Sequence, residues 1–341
     1  MRVAVHPPPG SESVTTRWAE GHSSAGVDLV GLTPRTAMSS DVDIAHIHWP
    51  EHLFRSSQRP LAKIAWGSIV VAALSIRRTP VVLTLHNDVP HGGWRSRIER
   101  MLVRVVRRQA LAVVTLVPSH DSLVRSEAGY DQPIIRTVPL GSLATTEPAP
   151  SKPSGPIHLV QVGAIAPYKG QLETISALKK QLDSGDVRLD IVGRSIDDDY
   201  TALVRDAIAE TPNASLSDGW VEDSELGKLI CDADAVIGCQ SVGLNTGVIY
   251  ASVPVGTPTV CSDTSQARDE QQRLGKDWIL ILTDPTSPAE WRQLVASLNA
   301  RREETTSVPV AFDWHGSGIA HRDLYQDALL RSQRRLEFRR S

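Results

Sequence analysis

Short, continuously apolar runs alternate with segments of helical spacing along most of the chain. In the first half, Val3 to Val5, Val27 to Leu32, Ile44 to His48, Val81 to Leu85, Ala112 to Val117 and Ile134 to Val138 carry the β-branched residues of strands. Runs that are apolar throughout, rather than at every second position, suit strands covered on both faces. They predict a parallel, doubly wound α/β sheet. The alternation stops over residues 143–156, LATTEPAPSKPSGP, where four prolines with Ser and Thr and no periodicity have the composition of an interdomain linker. It restarts with Ile157 to Val162, Val187 to Val192, Ala214 to Leu216, Ala235 to Ile237, Thr259 to Ser262 and Trp278 to Leu282, a second Rossmann-like unit. From Phe312 onward, Ile319, Leu324, Tyr325, Ala328 and Leu329 recur near helical spacing and predict one or two closing helices. The organisation expected is a domain over residues 1–145, a linker over 146–156, a second domain over 157–311 and helices over 312–341, with both domains facing one cleft.

A length of 341 residues accommodates two such cores. Hydrophobic residues make up 41% and charged residues 22%, as in ordinary globular proteins, which excludes disorder and coiled coil as the main reading. The formal net charge of −3 demands no polyanion, so no nucleic-acid partner is expected. Cys231, Cys239 and Cys261 lack metal-ligand spacing and read as reduced, packed thiols of a cytoplasmic protein. The opening MRVAVHPPPG breaks at prolines and does not form the apolar core of a signal peptide. Ala62 to Ile76, the longest apolar stretch, falls short of the ~18 residues of a spanning helix and is expected to be a buried helix. Arg95 to Arg108 is a basic helix with Ile98, Met101, Leu102, Val105 and Val106 between its arginines. Such a segment suits either a charged face covering the sheet or peripheral contact with the inner, anionic face of the cell membrane.

Candidate chemistry gathers at strand ends. In VQVGAIAPYKG, Val160 to Gly170, a strand leads through Gly163 to Lys169 and Gly170 at the start of a helix. Helix N-termini offer backbone N–H groups and a positive dipole end to phosphate, and Lys169 adds a full charge; a solvated loop lysine is the alternative. In SVGLNTGVIY, Asn245 or Thr246 can cap a following helix that Pro254 closes, while Gly243 and Gly247 let a diphosphate approach the backbone. Neither a Walker A loop nor GxGxxG occurs where it would carry meaning. In the first half, AHIHWPE and TLHNDVPHGG follow strands directly and put His48, Glu51, His86, Asp88 and His91 at carboxyl ends, where acid/base groups belong. No His or Cys spacing points to a metal, and none is assigned.

Together, His46-Ile47-His48-Trp49-Pro50-Glu51, His86-Asn87 with Pro90-His91, Pro167-Tyr168-Lys169-Gly170 and Leu244-Asn245-Thr246-Gly247 resemble, in order and over most of the chain, the GT-B glycosyltransferases of bacterial polysaccharide assembly. That resemblance implies an N-terminal acceptor domain, a C-terminal donor domain and a C-terminal helix returning to the first domain, with Trp314 and Tyr325 as its characteristic residues. It implies that Lys169 with Gly163 and Gly170, and the loop of Asn245, Thr246 and Gly247, hold the diphosphate of a UDP- or GDP-sugar. It further implies that His48 lies beside the transferred sugar and that Gly219 to Val221 meet the base. The acceptor expected is a glycan or lipid-linked glycan, with Glu51, Asp88 and His91 as candidate bases and no cofactor or metal. Two departures stand out: paired glutamates of many retaining relatives fall here on Gly243 and Ala251, and a frequent arginine falls on Ala164 or Ala166. A nucleotide-sugar epimerase on the same fold, or a degenerate binding subunit, are the alternatives.

Overall fold

The structure is a computed structural model that describes residues 1–10, 13–56, 58–86, 96–126, 129–147, 154–240, 247–302, 308–309 and 312–338. The chain forms two compact units, Met1–Gly141 with Asp313–Ser341, and Ser142–Phe312.

In the first unit, β1 (Arg2–His6), β2 (Asp28–Gly31), β3 (Ile44–Ile47), β4 (Val81–Leu85), β5 (Ala110–Thr115) and β6 (Ile134–Thr137) form one parallel sheet in the order β2-β1-β3-β4-β5-β6. Its continuous apolar strands are covered on both faces, as that patterning requires: Ala4, Ile44, Ala45, Ile47 and Val82 are fully buried. The connecting helices include α1 (Ser13–Ser24), α2 (Pro34–Met38), α3 (Pro60–Arg77), α4 (Arg97–Gln109) and α5 (His120–Ser126). The returning C-terminal segment is a single 25-residue helix, Trp314–Phe338. It joins the core through Leu324, Tyr325 and Ala328, which pack with Val3, Val5 and Trp18. Backbone approaches backbone where it meets α1: a Cβ on Gly318 would stand 2.2 Å from the Gly21 carbonyl oxygen, and one on Gly21 2.3 Å from that of Trp314. Only glycine permits that approach.

Helix α3 departs from expectation. Only Gly67, Val70, Val71, Ala73 and Leu74 are buried, while Leu61, Ile69 and Ile76 are exposed by 81%, 55% and 73%. An apolar sequence all round a helix predicts burial all round; here one face is left to the surface.

In the second unit, β7 (Ile157–Val162), β8 (Val187–Gly193), β9 (Ala214–Asp218), β10 (Ala235–Ile237), β11 (Thr259–Ser262) and β12 (Ile279–Leu282) form a parallel sheet in the order β12-β11-β10-β7-β8-β9. Around it run α6 (Gln171–Ser184), α7 (Asp198–Ala209), α8 (Asp223–Asp232), α9 (Val248–Ser252), α10 (Ser265–Leu274) and α11 (Pro288–Arg301). Residues just before the first linker proline are tied into this unit. Leu143 N–H donates to the Tyr250 carbonyl at 2.7 Å, and the Thr145 and Thr146 hydroxyls donate to the carbonyls of Asp223 and Gly227 at 2.6 and 3.3 Å. At its other end Arg302 pairs with Asp234 and donates to the carbonyls of Gly155 and Pro156.

Candidate functional site

The first unit concentrates imidazoles at the carboxyl ends of its central strands. His48 follows β3, with its N–H bonded to the His6 carbonyl at 2.9 Å, and is 6% exposed. Its Nδ1 lies 3.2 Å from Nε2 of His86, the residue after β4. Trp18 meets the His48 ring edge-on at 4.8 Å, and His46 stacks on it at 4.6 Å. His46 in turn shares hydrogen bonds with the Tyr325 hydroxyl at 2.6 Å and the Thr84 hydroxyl at 2.7 Å. Burial, followed by neighbouring histidines that would repel a second positive charge, holds His46 and His48 well below the ordinary imidazole range, so both rings are neutral at pH 7. The Nε2 of His48 is buried and makes no hydrogen bond among the described residues. A buried polar atom of that kind is costly unless something bonds it, which makes it a natural contact for a sugar hydroxyl.

Glu51 sits in a short 3-10 turn, Pro50–Leu53, and is 6% exposed. It lines a small pocket with His48, Trp49, Thr84, His86 and Arg107. Burial raises its carboxyl above the ordinary value, against the pull of Arg55 and Arg107. Arg55 is itself engaged by Glu99 of α4 in a close ion pair. The structure thus brings His48, Glu51 and His86 together, whereas Asp88 and His91 lie outside the described residues. Sequence reasoning missed His22 and His321, which complete the layer: their rings lie 4.7 Å apart, and both touch Trp18. Their signal was the i,i+4 spacing of Trp18 with His22 and of His321 with Tyr325, which reads equally as a core stripe.

The second unit carries glycines and a lysine instead. Gly163 (φ +123°) ends β7, and its N–H donates to the Val192 carbonyl at 3.0 Å. A Cβ on Gly193 would fall 1.6 Å from the Gly163 carbonyl oxygen, and the Gly219 N–H donates to the Gly193 carbonyl at 2.9 Å. Three adjacent strands therefore end in touching backbone with no side chains between. The Lys169 chain runs beside Gly163, 3.8 Å from where a Cβ would stand. Its Nζ donates to Gln240 Oε1 at 3.2 Å, and its carbonyl accepts from Gln161 Nε2 at 2.7 Å. Burial lowers the Lys169 ammonium below the ordinary lysine value. It is not the solvated loop lysine of the alternative reading, and an arriving anion would relieve the cost of its burial.

Two expectations about backbone donors change. Gly170 (φ +66°) opens α6, but the Leu172 N–H is taken by the Tyr200 hydroxyl at 3.2 Å, and the N–H groups of Lys169 and Gly170 bond back to Ala166 and Pro167. The start of α6 therefore offers less to a phosphate than an uncapped helix would. Asn245 and Thr246 lie outside the described residues. Gly247 precedes α9, which is five residues long, so its dipole is small; space around the Gly247 α-carbon is open. Val221 follows β9 half-buried, beside Trp220, which is 79% exposed. Of the departures, Ala251 packs against an apolar cluster with Ile230, Cys231, Val236 and Val255, and Ala166 is buried. Among the described residues, no group of three His, Cys, Asp or Glu is arranged to hold a metal ion.

No family model matches the chain. It is 26% identical over 304 residues, 86% of its own length and 82% of the relative's, to GDP-mannose:glycolipid 4-beta-D-mannosyltransferase of Xanthomonas campestris pv. campestris. Among solved structures, HepE of Anabaena in complex with UDP and glucose aligns with TM-score 0.62 and 15% identity, over 99% of this chain and 98% of that one. Sucrose-phosphate synthase of Thermosynechococcus elongatus aligns with TM-score 0.62 and 12% identity, over 100% and 99%. With its two parallel six-stranded units and these relatives, the chain is a glycosyltransferase of the GT-B fold.

Proposed function

We propose that this chain transfers a sugar, mannose in the first instance, from a GDP-sugar to a lipid-linked glycan, with the second unit as donor side and the first as acceptor side. The observation that carries this reading is Lys169, a half-buried cation held by Gln240 beside three side-chain-free strand ends, in a chain related to a mannosyltransferase that uses GDP-mannose. Gly163 and Gly170 let the diphosphate approach, and Lys169 stabilises the charge that develops on it as the glycosidic bond breaks, without a metal. The segment of Asn245, Thr246 and Gly247 is assigned to the same diphosphate, with open space around the Gly247 α-carbon. Val221 and the exposed Trp220 meet the base. An apolar indole face suits a purine ring.

On the acceptor side, His48 positions the transferred sugar through Nε2. The relative's name specifies a β-linked product; from an α-linked nucleotide donor that outcome inverts the anomeric carbon and needs a base for the incoming hydroxyl. Glu51 fits that role, because burial makes its carboxylate more basic than an ordinary one; Asp88 and His91 are the other candidates. The enzyme works in the cytoplasm with peripheral membrane contact through residues 95–108. Incubation of GDP-mannose with a lipid-linked oligosaccharide in the presence of a chelator tests the reading. Chelator-resistant release of GDP together with a mannosylated lipid is expected. GDP release without acceptor, or a changed sugar with no transfer, would overturn it.

A further inference from the structure

The surfaces of α3 and α4 belong together. On α3 the exposed positions Leu61, Ala65, Ile69, Ala72 and Ile76 follow one another at three- or four-residue steps, so they form a single apolar stripe along the helix. On α4 the exposed Ile98, Met101 and Val105 form a second stripe, which continues to Gln109. Gln109 Nε2 donates to Ser75 Oγ of α3 at 2.7 Å, so the apolar edge of α4 is the one turned toward α3. Arg97, Arg100, Arg104 and Arg108 form the row of α4 that adjoins this stripe, and Lys63, Arg77 and Arg78 flank the α3 stripe. At the ends of both helices Arg78, Arg108 and Arg335 line one groove with Ser75, Gln109 and Ser332, a set of donors suited to phosphate. Glu99 is the only carboxylate on either helix, and it is buried against Arg55.

We propose that α3 and α4 form one docking surface that seats the first unit on an anionic phospholipid bilayer, with the α3 stripe below the headgroups and the arginines among them. Apolar area beside a cation-rich edge, on two helices with no exposed carboxylate and with Asp131 near Arg335 at the groove's end, is the pattern of helices that lie in a membrane interface. A second copy of the chain is a poorer occupant, because a two-fold contact would bring the same arginine edge against itself. Nor does α3 cross the bilayer: Gly67, Val70, Ala73 and Leu74 bury its other face in the unit. The surface is continuous with the proposed acceptor side, since α4 supplies Glu99 to Arg55 and Arg107 to the Glu51 pocket. Its purpose rests on the lipid-linked acceptor reading, but its existence does not.

The test is sedimentation of the full chain with phosphatidylcholine vesicles, with and without phosphatidylglycerol, in the absence of any sugar nucleotide. Binding to the anionic vesicles, weakened by salt, is expected. Each arginine near such a surface is worth roughly a fivefold change in partitioning, so Arg104→Glu with Arg108→Glu should lower binding by more than about tenfold. Ile69→Glu with Ile76→Glu should do the same while the circular dichroism spectrum stays that of the parent, because both side chains are exposed. Failure of the parent to bind, or unchanged binding by both double variants, overturns the proposal. So does a solution dimer that the isoleucine variant abolishes when no vesicle binding is seen. Because no sugar transfer is measured, loss of the transferase reading leaves this result standing.

Discussion

The two strand-end rims are built from opposite materials. In the first unit, imidazole and indole rings crowd around His48, with Trp18 and His46 buried, Trp49 and His86 half-buried, and His46 and His48 held neutral. In the second, Gly163, Gly193 and Gly219 clear the backbone of side chains, and one half-buried lysine supplies the charge. The contrast is chemical: a neutral, hydrogen-bonding wall suits uncharged sugar hydroxyls, while a cation over bare backbone suits a diphosphate. In the proposed reaction, removing a proton and stabilising a leaving group would then fall to different units.

Mutations can break that division, and the largest effect is expected at Glu51. Glu51→Gln should lower kcat by about 10²- to 10⁴-fold with GDP affinity unchanged, if it is the base. The parent should lose activity as pH falls through a value above the ordinary glutamate pKa of 4.5, since only the ionised carboxylate accepts the proton. Assay of the variant should show no such acid limb. Next is Lys169→Ala, expected to cut kcat/KM by about 10²- to 10³-fold with the circular dichroism spectrum intact. A parent-like rate would remove the lysine from the mechanism. Gly247→Val should weaken GDP binding by roughly tenfold, about 1.4 kcal/mol, without loss of thermal stability, because among the described residues no atom lies within 4 Å of the added Cβ. Unchanged titration heats would place the diphosphate elsewhere.

The smallest expected effect concerns stability. His321 and His6 have folded pKa values lowered from 6.5 to about 4, and His22, His46 and His48 are lowered as well. Below pH 6.5 the unfolded chain takes up protons that the folded one refuses, so stability falls as pH drops toward 4, by up to about 1.4 kcal/mol per pH unit for each group. Thermal melts should follow that slope, and His321→Gln should make it shallower. A midpoint flat from pH 7 to about 5 would mean that these rings take up protons in the folded unit as readily as in the unfolded chain.

Strand positions were legible because continuous apolar runs admit few other arrangements; Ile44 and Val81 begin strands where the pattern predicts. His48 and Glu51 were legible as polar residues placed directly after such runs. Other features depend on partners distant in sequence. The Tyr200 hydroxyl of α7 occupies the Leu172 N–H at the start of α6, and nothing near Gly170 announces it. His22 and His321 sit at core spacing on two helices separated by most of the chain. The hydroxyls of Thr145 and Thr146 tie their segment to α8, a contact that composition, which ends the first domain at 145 and begins the linker at 146, does not announce. The apolar run of α3 misled for another reason: a helix apolar on every side reads as buried whether its second face meets protein or something else.

Titration calorimetry with GDP on the parent, Lys169→Ala and Glu51→Gln tests the division between the rims most directly. The account predicts that Lys169→Ala loses at least roughly tenfold in affinity, about 1.4 kcal/mol, while Glu51→Gln binds GDP as the parent does yet transfers sugar about 10²- to 10⁴-fold more slowly. Parent-like affinity in Lys169→Ala, or a loss of GDP binding in Glu51→Gln, would contradict it.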